Sequence, residues 1–328
     1  MRTLQTEDNK NWLRSARAIT EEVIVMSDSG GKIRLGISSC LMGNPVRYDG
    51  GHKLDEFLVR TLGAYVEYVP VCPEVECGMS VPREALRLVG DPSAPRLLTV
   101  KTKKDYTDQM TAWARRRVRE LEAEDLCGYI FKSRSPSSGM ERVKVYSAEG
   151  GMPTHSGVGM FARAFMEHFP LLPVEEEGRL HDPALRENFI ERIFVLRRLR
   201  QAMQERKTVG GLVEFHTRHK LLIMSHSTKH YQLMGKLVAQ VKAAGITQAF
   251  ATYHGFLMEA LALKATVKKH TNVLQHMMGY FKNDLSADEK QELLEIIDNY
   301  RRELVPLVVP VTLINHYVRT YGQPYLRQ

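Results

Sequence analysis

The pattern of apolar and polar positions divides the chain near residue 180. Before that point short apolar-rich runs recur, IRLGIS at 33–38, AYVEYVPV at 64–71, LLTV at 97–100, GYIFK at 128–132 and VKVY at 143–146. Each has strand length and composition and is bounded by turn residues. Between them, 53–62 and 108–124 space their apolar residues as helices do, and a further helix is expected from about Gly157 to His168, with Ser156 as its N-cap. Strands that alternate with helices predict a parallel sheet in an α/β sandwich. From residue 181 the period changes: Pro183 takes a favoured first-turn position, and Leu185, Phe189, Ile193, Val195 and Leu196 recur at helical spacing. Further amphipathic stretches follow, broken at Ser227, Gly245 and Asn283-Asp284. The second half therefore reads as an all-α bundle, with Met224, Met234, Met258, Met277 and Met278 in its core.

The fold class expected is thus α/β, a parallel-sheet sandwich followed by an all-helical domain. Its parts are a charged extension over 1–31, ending in the polar joint Ser27-Asp28-Ser29-Gly30-Gly31, an α/β domain over 32–180 and a helical domain over 181–328. A length of 328 residues suits two cores better than one. No apolar run is long enough to span a membrane, and the N-terminal residues lack the apolar segment of a secretory signal. Four cysteines are too few to staple such a chain, so a reducing, cytoplasmic setting and thiolate or metal chemistry are expected.

Charge refines the division. The net charge is +8, and from residue 189 onward there are 20 Lys and Arg against 11 Asp and Glu, so the first part is close to neutral. The asymmetry points to a polyanion-binding module joined to a neutral one, against the alternative of an ordinary solvated basic surface. Eight of the twelve histidines also follow residue 210, without a metal-ligand spacing. Arg218, Lys220 and Lys229, with His216, His230 and Tyr231 nearby, supply forks, point charges and rings suited to phosphate and unpaired bases.

The candidate chemistry lies in the first half. Cys40 follows the first strand and Cys72 the second, so in a parallel sheet both reach the edge where ligands bind. Cys77 shares the Cys72 loop, while Cys127 precedes its strand and belongs to the opposite edge. Spacing alone leaves two readings open, a metal or iron–sulfur site and a set of buried thiols. Glu74 stands two residues from Cys72, as a base at that edge or as a loop carboxylate. Arg47, Tyr48 and Asp49 either line the site or form a turn with an Arg–Asp pair.

ISSCLMGNPVRYDGG, VPVCPEVECGMSVPR and FKSRSPSSGMERVKVY, taken together, resemble the thiouracil desulfidase family over roughly residues 32–175. EFHTRHKLLIMSHS, HTNVLQHMMGYFK and INHYVRTYGQPYL resemble the helical domain often fused to it, and the fused architecture is similar to bacterial desulfidases of 4-thiouridine in transfer RNA. The resemblance implies a 4Fe-4S cluster held at three points, with one iron open to the sulfur of the base. It matches Cys40, Cys72 and Ser138 to the three positions, and Ser138 departs from the family's cysteine. A hydroxyl is a poor ligand beside a thiolate, so Cys77 is favoured as third ligand, with an alkoxide at Ser138 or loss of the cluster as alternatives. The resemblance further implies Glu74 as acid–base and Ser135 as proton-handling or substrate-binding hydroxyl. The implied function is conversion of 4-thiouridine to uridine and hydrosulfide, with transfer RNA and neither DNA nor membrane as partner. Action on free thiouracil and a cluster-free RNA-binding protein are the alternatives.

Overall fold

The computed structural model describes residues 32–327, without the side chains of residues 243 and 244, and the expected extension over 1–31 lies outside them. Residues 32–200 form one compact unit and 201–328 belong to the other.

The first unit holds eight strands: β1 (Ile33–Ser38), β2 (Val66–Val71), β3 (Leu86–Val89), β4 (Arg96–Thr99), β5 (Gly128–Phe131), β6 (Val143–Tyr146), β7 (Thr154–Gly157) and β8 (Val174–Glu176). Its helices are α1 (Pro73–Glu76), α2 (Thr107–Glu120), α3 (Met160–His168) and α4 (Pro183–Glu205), the last running five residues past the unit boundary. The expected parallel sheet is present, in the order β2-β1-β5-β8. Ile33 pairs with Val66 and Leu35 with Gly128, which brings the C-terminal ends of β1, β2 and β5 to one edge. Strand β1 is buried at every position but Arg34 because both faces are covered, and Leu35 and Ile37 have no exposure. Gly36 is required where the Tyr129 ring crosses it, since a Cβ there would lie 2.1 Å from a ring carbon. Tyr129 and Phe131 meet Phe161 and Phe165 of α3 in tilted and edge-on ring contacts, and Trp113 of α2 meets Phe161 at 5.3 Å between ring centroids.

Several elements depart from the sequence reading. LLTV and VKVY are strands, but they belong to a second, mixed sheet of order β4-β3-β6-β7, together with β3 and β7, which carry weak strand patterns. The helix expected over 53–62 contracts to short helical turns over Phe57–Ala64. Ser156 lies in β7, and the N-cap of α3 is Gly159, which has no side chain to offer. The first amides of α3 are satisfied instead by a distant loop: Met160 N donates to Pro136 O at 3.1 Å and Phe161 N to Ser137 O at 2.9 Å.

The helical unit contains α5 (Val209–His226), α6 (Thr228–Ala239), α7 (Val241–Ala244), α8 (Ile246–Ala262), α9 (Val267–Gly279), α10 (Ala287–Arg301) and α11 (Val308–Tyr321). Side-chain caps begin four of them: Thr208, Ser227, Thr266 and Ser286, the last in a capping box with Glu289. One core cluster joins Leu274, Phe281, Leu293, Ile297, Ile314 and Tyr317. Among the described residues no helix is long and apolar enough to cross a membrane.

Candidate active site

A cavity of about 370 Å3 opens where the sequence places it, beyond the C-terminal ends of β1, β2 and β5. Cys40 reaches it from the turn after β1, and Cys72 and Glu74 from the start of α1. Ser135 and Ser138 reach it from the loop after β5. The edge is tied across strands by Lys132 N, which donates to Ser38 Oγ at 2.9 Å. Arg47 and Tyr48 line the cavity, whereas Asp49 does not and serves the turn, its Oδ1 3.5 Å from Arg47 Nε.

The loop from Ser135 to Gly139 is locked from two sides. Ser135 Oγ accepts from Ser138 N at 3.1 Å and lies 2.9 Å from Ser137 Oγ. A Cβ on Gly159 would fall 2.5 Å from the Ser137 carbonyl carbon, so glycine is what allows α3 to approach. Ser137, without exposure, donates to Glu74 Oε1, making a hydroxyl chain Ser135–Ser137–Glu74. The other carboxylate oxygen, Oε2, lies 3.6 Å from Cys72 Sγ and 3.8 Å from Arg83 Nη2. Glu76 has a structural role: it accepts from Cys72 N at 2.8 Å and pairs with Arg117 at 3.0 Å.

The thiols divide. Cys40, Cys72 and the buried Ser138 line the cavity. Cys77, which the sequence favours as third ligand, is not brought to that wall: it caps the C-terminal end of α1, and its Sγ sits 3.3 Å from Glu74 O. Cys127 is buried at the N-terminal edge of the sheet, its amide on Arg34 O. Burial, reinforced by the Glu74 charge, pushes the Cys40 thiol up to about 11 and the Cys72 thiol up to about 12. Ionising Cys72 at neutral pH with no compensating cation would then cost on the order of 7 kcal/mol. These thiols are inert by themselves and ionise when a metal takes the proton's place. Among the described residues no three His, Cys, Asp or Glu side chains are placed to hold a single metal ion. Two thiols and a hydroxyl around one cavity do fit a cluster attached at three points, with oxygen at the third.

Sequence reasoning missed Ser137, Arg83, Lys132 and Glu177. Lys132 lines the cavity and donates to Glu177, which also accepts from Ser133 N at 2.7 Å. The repeated serines of S-P-S-S were the available signal for Ser137; Arg83 and Glu177 carry none, because their partners lie far along the chain.

The residues assigned to RNA separate. Arg218 pairs with Glu214 at 2.7 Å, and Lys220 Nζ lies 4.5 Å from the Tyr325 ring centroid. Two positions apart on α5, they point roughly 200° from each other. Lys229 is exposed in the first turn of α6.

Residues 35–177 match the family described as 2-thiouracil desulfurase, and residues 220–328 match a protein family of unknown function, DUF1722. The chain is 34% identical over 136 residues to the uncharacterized protein YbgA of Escherichia coli K12, covering 41% of this chain and 80% of that one. It is 29% identical over 127 residues to the uncharacterized protein YbbK of Bacillus subtilis 168, covering 37% and 83%. A solved structure, the 4Fe-4S-dependent thiouracil desulfidase TudS, is 27% identical, covers 47% of this chain and 97% of its own, and has a TM-score of 0.39. The chain thus joins a segment that matches the 2-thiouracil desulfurase family, residues 35–177, to one that matches DUF1722, residues 220–328.

Proposed function

We propose that the protein removes sulfur from 4-thiouridine in transfer RNA, giving uridine and hydrosulfide. The observation that carries the desulfidase reading is the meeting of two metal-ready thiols with the Ser135–Ser137–Glu74 chain in one cavity. Cys40 and Cys72 would hold the 4Fe-4S cluster that the family resemblance implies. Ser138 would take the third position, because Ser138 is among the residues that line the cavity and Cys77 is not.

When bound, the cluster supplies a Lewis acid for the departing sulfur without net redox change. Glu74 accepts a proton from water as the oxygen bonds to C4 of the pyrimidine ring. Glu74 returns that proton to the sulfur as the C4–S bond breaks, so that the sulfur leaves as hydrosulfide, and takes up the second water proton as the new carbonyl forms with the water oxygen. Ser137 holds the carboxylate in place, and Ser135 can pass the proton on through its 2.9 Å contact with Ser137. The basic excess after residue 189, with Arg218, Lys220 and Lys229 in it, supports transfer RNA as substrate.

The family's description favours a second reading, the free thiouracil base. Anaerobic iron and sulfide analysis, with mass spectrometry of thiolated transfer RNA and of free 4-thiouracil after incubation, tests both. Sulfur loss from the RNA supports the proposal, loss from the free base alone supports the second reading, and a protein without iron that binds RNA but releases no sulfur would sink both.

A further inference from the structure

The catalytic cavity does not end at the loop after β5. Beyond it lies a wider hollow of about 920 Å3, which shares Leu86, Lys132, Ser133, Arg134 and Pro136 with the first. Its wall includes the second sheet. Val143 and Val145 of β6 are buried, so Lys144 and Tyr146 project from the opposite face. Arg87 of β3 joins them there, its guanidinium 5.0 Å from the Tyr146 ring centroid.

The cations of this hollow fall into two groups. Arg142 and Arg179 both reach Glu141, at 2.8 and 2.7 Å, and Arg179 also reaches Glu175 at 2.6 Å. Lys132 is paired with Glu177. Arg87, Arg134 and Lys144 have no carboxylate partner among the described residues. Glu176, the remaining carboxylate of the wall, is buried and accepts from Met140 N at 2.9 Å. Arg134 stands at the junction of the two cavities, on backbone with φ of +59°, a left-handed conformation that arginine rarely adopts. Two cations without a carboxylate partner, Arg134 and Lys144, beside a tyrosine ring and the Arg87 guanidinium plane are the chemistry of single-stranded RNA recognition, where phosphates meet charge and unpaired bases stack.

We propose that this face of the second sheet binds the RNA strand flanking the nucleotide that enters the catalytic cavity. Arg134 and Lys144 take phosphates, and the Arg87–Tyr146 pair stacks on a neighbouring base. The inference rests on the desulfidase reading for which nucleotide enters the cavity, and on charge and stacking for the binding itself. A free base, having no phosphate, gains nothing from this surface.

The test is affinity of the full-length protein for unmodified transfer RNA, titrated at several salt concentrations. Neutralising both cations in Arg134→Gln/Lys144→Gln should lower the magnitude of the log-affinity against log-salt slope by about 1.5. Tyr146→Ala should weaken binding about tenfold with the slope unchanged. The charge-conserving Arg134→Lys/Lys144→Arg should restore affinity and slope. Unchanged affinity and slope in the Gln double variant, or equal loss in the charge-conserving one, would overturn the assignment. Because affinity is read rather than turnover, a protein that binds in this way but releases no sulfur would fail the desulfidase reading while leaving the surface established.

Discussion

Burial makes Cys40 and Cys72 weak acids, at about 11 and about 12, and this governs what the metal-free protein can do. A raised thiol pKa keeps the reactive thiolate scarce below it, so alkylation of Cys40 by iodoacetamide should be slow at pH 8 and rise about tenfold per pH unit toward pH 10. A rate that levels off between about pH 9 and pH 10 would mean an unperturbed thiol. Iron replaces those protons, and the attachment points separate by mutation. Cys72→Ala should abolish bound iron, whereas Ser138→Cys should raise iron content and slow its loss in air, because thiolate is the better iron ligand. Ser138→Cys with unaltered iron, together with iron lost in Cys77→Ala, would return the third position to Cys77. Glu74→Gln should retain iron and lower turnover by roughly 100-fold, the usual scale for a lost acid–base group. Wild-type turnover there would remove Glu74 from the chemistry. The pairing of Glu74 with Cys72 was legible two residues apart in C-P-E, but its hydroxyl partner Ser137 lies 63 residues away and was not.

At the scale of elements, the site depends on how the loop after β5 docks on α3. The first amides of α3 use Pro136 O and Ser137 O as their acceptors, so helix and loop hold each other. Gly159 has φ −60° and ψ 144°, which any residue adopts, so a substitution there acts through space alone. Gly159→Ala would put a Cβ 2.5 Å from the Ser137 carbonyl carbon and 2.7 Å from Ser138 N, both backbone atoms that must shift. We expect a loss of about 2 kcal/mol, read as a melting temperature lower by about 4–8 °C, with a large fall in bound iron. An unaltered melting curve would show that the loop yields freely. Strands β1, β2 and β5 were legible because apolar residues dominate them. Strand β7, THSG, has three exposed polar positions, and β8 buries Glu175 and Glu176, so neither has the composition that marks a strand. Glu175 is tolerated because Arg179 pairs with it at 2.6 Å, an interaction that no strand pattern signals.

For the whole molecule, the basic excess lies after residue 189. If the helical unit holds transfer RNA through its phosphates, neutralising Arg218, Lys220 and Lys229 together should weaken binding and flatten its salt dependence, by somewhat less than one unit of slope for each phosphate released. Iron content should not change, because the proposed cluster ligands all lie in the 32–200 unit. Unchanged affinity would assign these cations to ordinary solvated surface, a reading that fits the Arg218–Glu214 pair. The change of period near residue 181 coincides with the start of α4 at Pro183, and the compact boundary falls at Arg200, within that helix. The reason is that Phe189, Ile193 and Leu196 are buried, and Ile193 packs within reach of Gly128 of β5.

Local pattern was enough to read the order of the α/β and helical parts, the parallel sheet, and the placing of Cys40, Cys72 and Glu74 at one edge. Each of these follows from local period, or from the rule that parallel strands share their C-terminal ends. It took the packed chain to show that LLTV and VKVY leave that sheet for a second one, that Ser138 rather than Cys77 lines the cavity, and that Ser137 joins Ser135 to Glu74. Those outcomes depend on strand register and on the approach of α3 to the loop after β5, interactions between residues far apart in the chain that no local pattern encodes.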